Sequence, residues 1–473
     1  MRAKLFYLFL ILPFICFGQK GHEIKVRVEG LKDTVAYLGY HYGDKQYVTD
    51  TVRVDSKGNF VFKSDEPLEG GIYLVVLPNK SFFEIIVTEQ RFAIETDTVD
   101  LVGHMKITGS MENKIFNEYQ RYLVAKQKEI APLKARYDTW KSNDDSSKVI
   151  QKLMKAVDQD VKDYRLKILR DNPKTFTAQL IRCMMEPESP EPPKDSLGRI
   201  DSTFQFYYVR KHLLDSVDFS DARLLRTPLL QQKIKTYTET MTLQIPDSLI
   251  PAVDTIVERS KKNKEVFKYV VVTLTNHYEN SKIMGHDAVF IHLAEKYYVT
   301  DDAYWVDSTL RAKLWDRIIK IKPNLLGKPA HDLLMKDTSG KWVSLYSVKA
   351  KYTILVFWSP TCSHCKEEIP KLILTYDSLK TQGVEGYAVG IESDTALWKQ
   401  FIRDHKLDWI NVTDLYEQTR FRDYYDIYST PVIYLLDDQK KIVAKRLDVP
   451  TLSSLLRRFL KDKEKEKEKD KTK

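Results

Sequence analysis

Residues Thr353 to Pro370 read TILVFWSPTCSHCKEEIP. The run Thr353-Ile354-Leu355-Val356-Phe357-Trp358 is apolar without useful alternation, which suits a central strand buried on both faces. Ser359-Pro360-Thr361 breaks it, and Cys362-Ser363-His364-Cys365 then opens a helix expected from Lys366 to about Gln382. A thiol at the first turn of a helix meets unpaired N–H groups and the positive end of the macrodipole, both of which favour thiolate. The three-residue offset puts the second sulfur one turn along, close enough to close a small disulfide ring. Cys362 is therefore expected to be the exposed attacking thiol and Cys365 the shielded resolving one, forming a redox-active Cys362–Cys365 pair. A structural zinc site wants four Cys or His ligands in two close pairs, and no second pair exists, so no metal is expected.

The remaining chain sets the context. At 473 residues it is too long for one ordinary core, and two to four domains are expected. Met1-Arg2-Ala3-Lys4, an apolar run from Leu5 to Phe17 and then Gly18-Gln19 make a secretory signal peptide over residues 1–18, with cleavage after Gly18. The run is short for a membrane span and carries Pro13. A lipoprotein reading at Cys16 is disfavoured by the bulky Ile15 before it, so the mature chain is expected in the periplasm. Only Cys183, Cys362 and Cys365 survive cleavage, too few for a disulfide framework. The formal charge of +9 is modest for this size and has no aromatic-interleaved basic stripe, so nucleic acid is not expected as a partner.

Residues 19–109 have a β pattern, with Ile24, Val26 and Val28 alternating with charged residues. Short strands punctuated by Tyr42-Gly43-Asp44, Ser56-Lys57-Gly58-Asn59 and Glu69-Gly70-Gly71 suggest an antiparallel sandwich or barrel. From residue 110 to 322 the period becomes helical, as in Leu153, Val157, Val161, Tyr164 and Ile168, giving an all-α middle domain. The proline-rich stretch Glu186 to Pro193 must be loop, because proline lacks the helical donor. His286, Asp287 and His292 do not share a helix face and are not expected to bind metal. Trp140, Trp305 and Trp315 are expected in the core, and Cys183 as a buried free thiol. Residues 323–460 alternate strands and helices in an α/β layout. Residues 461–473 alternate Lys with Glu or Asp and form a solvated tail.

This chain resembles the thioredoxin-like superfamily, specifically the bacterial extracytoplasmic ResA/TlpA-like thiol–disulfide oxidoreductases. The matching words are Gly327-Lys328-Pro329-Ala330, Asp337 to Lys341, Phe357-Trp358, the cysteine pair, Glu368-Ile369-Pro370 and Thr430-Pro431 before the strand Val432 to Leu436. The first two domains resemble β-rich and helical domains of unknown function that precede such modules. The resemblance implies that Pro431 is a cis-proline against the disulfide, and that Thr430 and Pro431, with Trp358 and His364, bind an extended substrate. It implies Glu368 as proton acceptor for Cys365, where thioredoxin has instead a buried acid in the strand, here Val356. Pro370 matches the kink proline of the catalytic helix. His364 between the cysteines departs from thioredoxin's Gly-Pro, and an imidazolium there would make the pair more oxidising.

The expected function is dithiol–disulfide exchange with disulfide-containing protein substrates, as a reductase recharged by a membrane or periplasmic electron donor, with no cofactor. Rival readings are an oxidant or isomerase, a thiol peroxidase suggested by Pro360-Thr361-Cys362, and a peptide- or glycan-binding protein with an accessory redox module.

Overall fold

The computed structural model describes residues 21–139, 145–194, 196–414 and 418–471. The signal segment with Cys16, and Trp140, lie outside these residues. The chain forms two compact units, residues up to Met241 with Arg259–Val266, and Thr242–Glu258 with Phe267–Lys473.

The first unit begins with strands β1 (His22–Glu29), β2 (Thr34–Tyr42), β3 (Lys45–Val54), β4 (Asn59–Ser64), β5 (Gly71–Val76), β6 (Phe82–Val87), β7 (Arg91–Asp97) and β8 (Lys106–Thr108). They form two four-stranded sheets, ordered β4-β1-β7-β8 and β3-β2-β5-β6. Alternating residues from both sheets, including Ile24, Val26, Phe62, Leu38, Val75 and Ile85, enter one shared core. The expectation of an antiparallel sandwich or barrel needs correction. Strands β1 and β7 run parallel, from Glu23 opposite Arg91 to Glu29 opposite Asp97, so that sheet is mixed. Neither sheet closes into a barrel. Alternation marks which face is buried but is blind to strand direction, which is why the sequence pattern did not reveal the parallel pair.

Helices α1 (Met111–Thr139), α2 (Asp145–Asp171), α3 (Phe176–Met184), α4 (Phe204–His212) and α5 (Leu229–Lys235) follow in this unit. The stretch from Glu186 to Pro193 has no regular structure, as its prolines require. Cys183 is fully buried in α3, and burial pushes its thiol up to about 11, against a smaller opposite effect of Lys233.

Further helices are α6 (Pro246–Ser260), α7 (Lys264–Glu279), α8 (His286–Leu293) and α9 (Ser308–Ile321). His292 bonds Asp254 at 2.7 Å and His286 bonds Ser281 at 2.8 Å, so the two histidines serve separate local contacts. Trp305 is packed among Phe267, Tyr298 and Tyr304. Trp315, expected in the core, is instead 48% exposed. It lies about a quarter-turn around α9 from the buried stripe Leu314, Ile318 and Ile321, at the edge of the apolar face.

The second unit carries β9 (Leu334–Asp337), β10 (Trp342–Ser344), β11 (Tyr352–Trp358), α10 (Ser363–Leu379), β12 (Val384–Gly390), α11 (Thr395–Asp404), β13 (Ile410–Thr413), α12 (Phe421–Tyr424), β14 (Val432–Asp437), β15 (Ile442–Lys445) and α13 (Val449–Lys471). The sheet order is β10-β9-β13-β12-β11-β14-β15, with β11 in the sheet interior, parallel to β12 and antiparallel to β14. All seven residues of β11 are buried. Tyr352, Ile354, Val356 and Trp358 face one core with α10 and α13, while Leu355 and Phe357 face a second. Each such large apolar side chain contributes about 1.5–3 kcal/mol on burial, so this strand is held from both sides.

Some boundaries differ from expectation. The helix that carries the cysteine pair starts at Ser363 rather than Lys366, so Cys365 lies within its first turn. The helix expected over Tyr416 to Tyr425 is only α12, and its expected start lies outside the described residues. The last helix is capped by Asp448, which accepts from the Thr451 N–H at 2.7 Å, rather than by Thr451 itself. Its backbone stays helical through the charged tail to Lys471. Lys445, nearly buried at the end of β15, pairs with Asp287 of α8 and donates to the Asn324 carbonyl.

Gly390 closes β12 against the indole of Trp398, where an added Cβ would stand 2.2 Å from Nε1. Gly390→Ala is expected to cost about 1–3 kcal/mol by overpacking. Thermal denaturation checks this, and an unchanged midpoint would show that the indole moves aside freely.

Candidate active site

Strand β11 delivers the chain to the loop Ser359-Pro360-Thr361, and Cys362 becomes the N-cap residue of α10 with extended φ −76° and ψ 126°. Its sulfur is therefore at the electropositive end of the helix. Cys362 is half-buried and Cys365 fully buried, and both are free thiols. The Cys362 sulfur donates to the Thr430 carbonyl at 3.3 Å. The Thr430–Pro431 peptide is cis.

The two thiols differ in acidity. Burial pushes Cys362 up, but hydrogen bonds from the Thr430 side chain, from the N–H and thiol of Cys365 and from the N–H of His364 outweigh it, and its pKa is lowered overall. Burial dominates at Cys365 and pushes it up to about 11, opposed in part by the Ser359 N–H, which donates to its sulfur at 3.5 Å. A pair with this asymmetry can, chemically, support attack by the more acidic thiol and resolution by its buried partner.

The other expected residues are placed as follows. The imidazole of His364 is exposed and makes no hydrogen bond among the described residues. Glu368 bonds Lys371 at 2.7 Å and makes no hydrogen bond to either cysteine among the described residues. Val356 is buried in the apolar core beneath the pair. Pro370 lies inside α10. Trp358, expected at the substrate surface, is fully buried, with its ring 5.0 Å from that of Phe401. The last residue of a strand buried on both faces points into a core, and Trp358 packs there beneath the cysteine pair.

Sequence reasoning missed Glu392. Its Oε2 accepts from the Thr361 hydroxyl at 2.8 Å and the Ser359 hydroxyl at 3.2 Å, and those bonds hold its carboxyl below the usual range, the Thr361 bond most strongly. Glu392 thus ties down the loop whose Ser359 N–H reaches Cys365. It follows the carboxyl end of β12, beside the carboxyl end of β11, where ligands gather in α/β sheets. The signal was the acidic residue just past an apolar strand. Its use required knowing that β12 and β11 are neighbours. Among the described residues no group of three or more His, Cys, Asp or Glu is arranged to hold a metal, and no helix is long and apolar enough to cross a membrane.

Comparison with known proteins places these features. The AhpC/TSA family model matches residues 326–445, and two models for domains of unknown function, DUF5106 and DUF4369, match residues 198–324 and 22–116. The thiol-disulfide oxidoreductase ResA of Bacillus subtilis is 31% identical over 117 residues, which are 25% of this chain and 64% of that protein. ResA of Bacillus cereus is 28% identical over 130 residues, 28% of this chain and 74% of that one. The chain thus spans somewhat under two thirds of the first relative's length. A crystal structure of a domain of a possible thiol-disulfide isomerase from Cytophaga hutchinsonii shares 44% identity, over 30% of this chain and 97% of that one, with a TM-score of 0.28. The chain is related, distantly but consistently, to the ResA/thioredoxin-like thiol-disulfide oxidoreductases, with β, helical and thioredoxin-like parts. The Cys-x-x-Cys pair and this relationship support a general role in thiol–disulfide exchange.

Alkylating the reduced protein near neutral pH is expected to add a single adduct, at Cys362. The rate should titrate below the ordinary cysteine value of about 8.5. Cys365 and Cys183, each pushed up to about 11 by burial, should react only after unfolding. Mass spectrometry of the adducts across pH checks this, and early labelling of Cys365 would contradict the assignment of roles.

Proposed function

We propose that this chain is a periplasmic thiol–disulfide reductase of protein substrates, its chemistry carried by residues 323–460. The observation that carries the reading is the asymmetry of the pair. An accessible thiol at a helix N-terminus has its pKa lowered, and its partner is sealed from water with its pKa raised. The Cys362 thiolate attacks one sulfur of a substrate disulfide, forming a mixed disulfide and expelling the other substrate sulfur as a thiolate that takes up a proton. Cys365 then loses its proton and attacks the Cys362 sulfur, releasing the second substrate thiol. Two electrons have passed to the substrate, and the Cys362–Cys365 disulfide remains. A membrane or periplasmic donor returns two electrons and two protons.

Glu368 is the proposed acceptor of the Cys365 proton, one turn along α10, exchanging its Lys371 partner for the thiol as the mixed disulfide forms. Glu368→Gln is then expected to slow resolution about tenfold near neutral pH while leaving attack by Cys362 unchanged. Stopped-flow traces of the two phases separate these steps, and equal slowing of both would remove Glu368 from the role.

The reducing direction rests on the resemblance of the module to the ResA/TlpA-like branch, whereas the lowered pKa of Cys362, to which the His364 backbone N–H contributes, stabilises the dithiol form and by itself favours an oxidant. Equilibration with glutathione should place the pair near about −250 mV or lower, and a value of about −120 to −180 mV would make it an oxidant or isomerase. Cys362→Ser should abolish reduction of a disulfide peptide, and Cys365→Ser should trap the mixed disulfide. The peroxidase reading finds no support in Thr361, whose hydroxyl is committed to Glu392 and Ser359. Peroxide turnover by the purified protein would revive it.

A further inference from the structure

The substrate loop of the proposed reductase runs from Asp426 to Pro431, and its anchor is electrostatic. Asp426 has left-handed φ of +53°, and its carboxylate is 3% exposed. Oδ1 accepts from Arg317 Nη1 of α9 at 3.0 Å, and Oδ2 accepts from Arg446, just after β15. Arg317 also reaches the Tyr428 hydroxyl at 3.5 Å and places its guanidinium 5.6 Å from the centre of that ring. A second carboxylate, Glu279 of α7, lies 3.6 Å from Arg317 Nε and steadies the guanidinium from behind. Tyr428 is 68% exposed, two residues before Thr430, whose carbonyl stands against the Cys362 sulfur.

We propose that Arg317 is a positioning residue for thiol–disulfide exchange. From the helical segment it clamps the Asp426–Pro431 loop at two points, and so sets where Thr430 meets Cys362 and how an extended disulfide substrate lies across the pair. This rests on the exchange reading and gives α9 a part in it. A nearly buried carboxylate held by two guanidiniums has few alternative arrangements, because leaving either partner exposes an unpaired charge to a dry site. Three residues separate that fixed point from Thr430, so little slack remains. Loss of Arg317 frees Tyr428 and leaves Asp426 to Arg446 alone, which lets the loop sample other positions. Arg317 also borders a cavity of about 440 Å³ shared with Glu279, Met284 and Arg446, so its truncation widens existing space rather than opening a new hole in a packed core.

The test uses the full chain with dithiothreitol as reductant and a fluorescence-quenched disulfide peptide as substrate. Arg317→Ala is expected to raise KM about tenfold with kcat within about twofold, the split expected when binding rather than chemistry is weakened. It should also shift the pH midpoint of Cys362 alkylation, since the Thr430 contacts that set that thiol are loosened. Arg317→Lys should restore part of both, and Lys126→Ala, which breaks an exposed pair in the other unit, should change neither. If Arg317→Ala does not fold, Arg317→Gln carries the same expectations. An unchanged KM together with an unchanged alkylation midpoint overturns the proposal. If the wild-type protein itself fails to reduce the peptide, the exchange reading falls. The alkylation midpoint, which needs no substrate, still decides whether Arg317 sets the loop.

Discussion

Strand β11 is the constraint on which the active unit rests. Its side chains alternate into two separate apolar cores, so it cannot slip by one residue without turning every side chain to the wrong core. That fixed register determines where the chain leaves the sheet, and the next four residues must reach the first turn of α10. The position of Cys362 is thereby inherited from packing below it rather than from any bond it makes itself. Trp358, buried at the end of the strand, is the last link of that inheritance.

The two sulfurs lie three residues apart in one chain and differ because of what surrounds them. Cys362 sits where helix N–H groups and Thr430 compensate the cost of charge, whereas Cys365 has chiefly the Ser359 N–H against an apolar core. Ser359 is in turn held by Glu392 from the neighbouring strand. The acidity of a buried sulfur is therefore connected, through one backbone amide and two hydroxyls, to a carboxylate at the surface.

Features decided by neighbours in sequence were legible beforehand. The strand, the break and the cysteine pair sit within one short stretch, and their order alone states the chemistry. The prolines from Pro187 to Pro193 likewise exclude helix locally. Features decided by contacts between distant segments were not legible. The direction of β7 against β1 left no mark on an alternation that is the same either way. Glu392 and Arg317 are ordinary charged residues until the sheet order and the packing of α9 bring them to the loops they hold. Trp358 shows the opposite error. Its place in an apolar run already argued for burial, and only the resemblance suggested a surface role.

The ion pairs of the second unit also bear on where this chain can be divided. A cut before the thioredoxin-like strands, near residue 323, would look harmless, since the sheet and both of its cores lie beyond it. Yet Asp287, the partner of Lys445, and Arg317, one of two partners of Asp426, would be left on the other side. The severed module would leave Lys445 and Asp426 without those partners. The helices before the module and the module itself are therefore one functional inheritance, and a module moved alone into another protein would carry its cysteines without the setting that aims them.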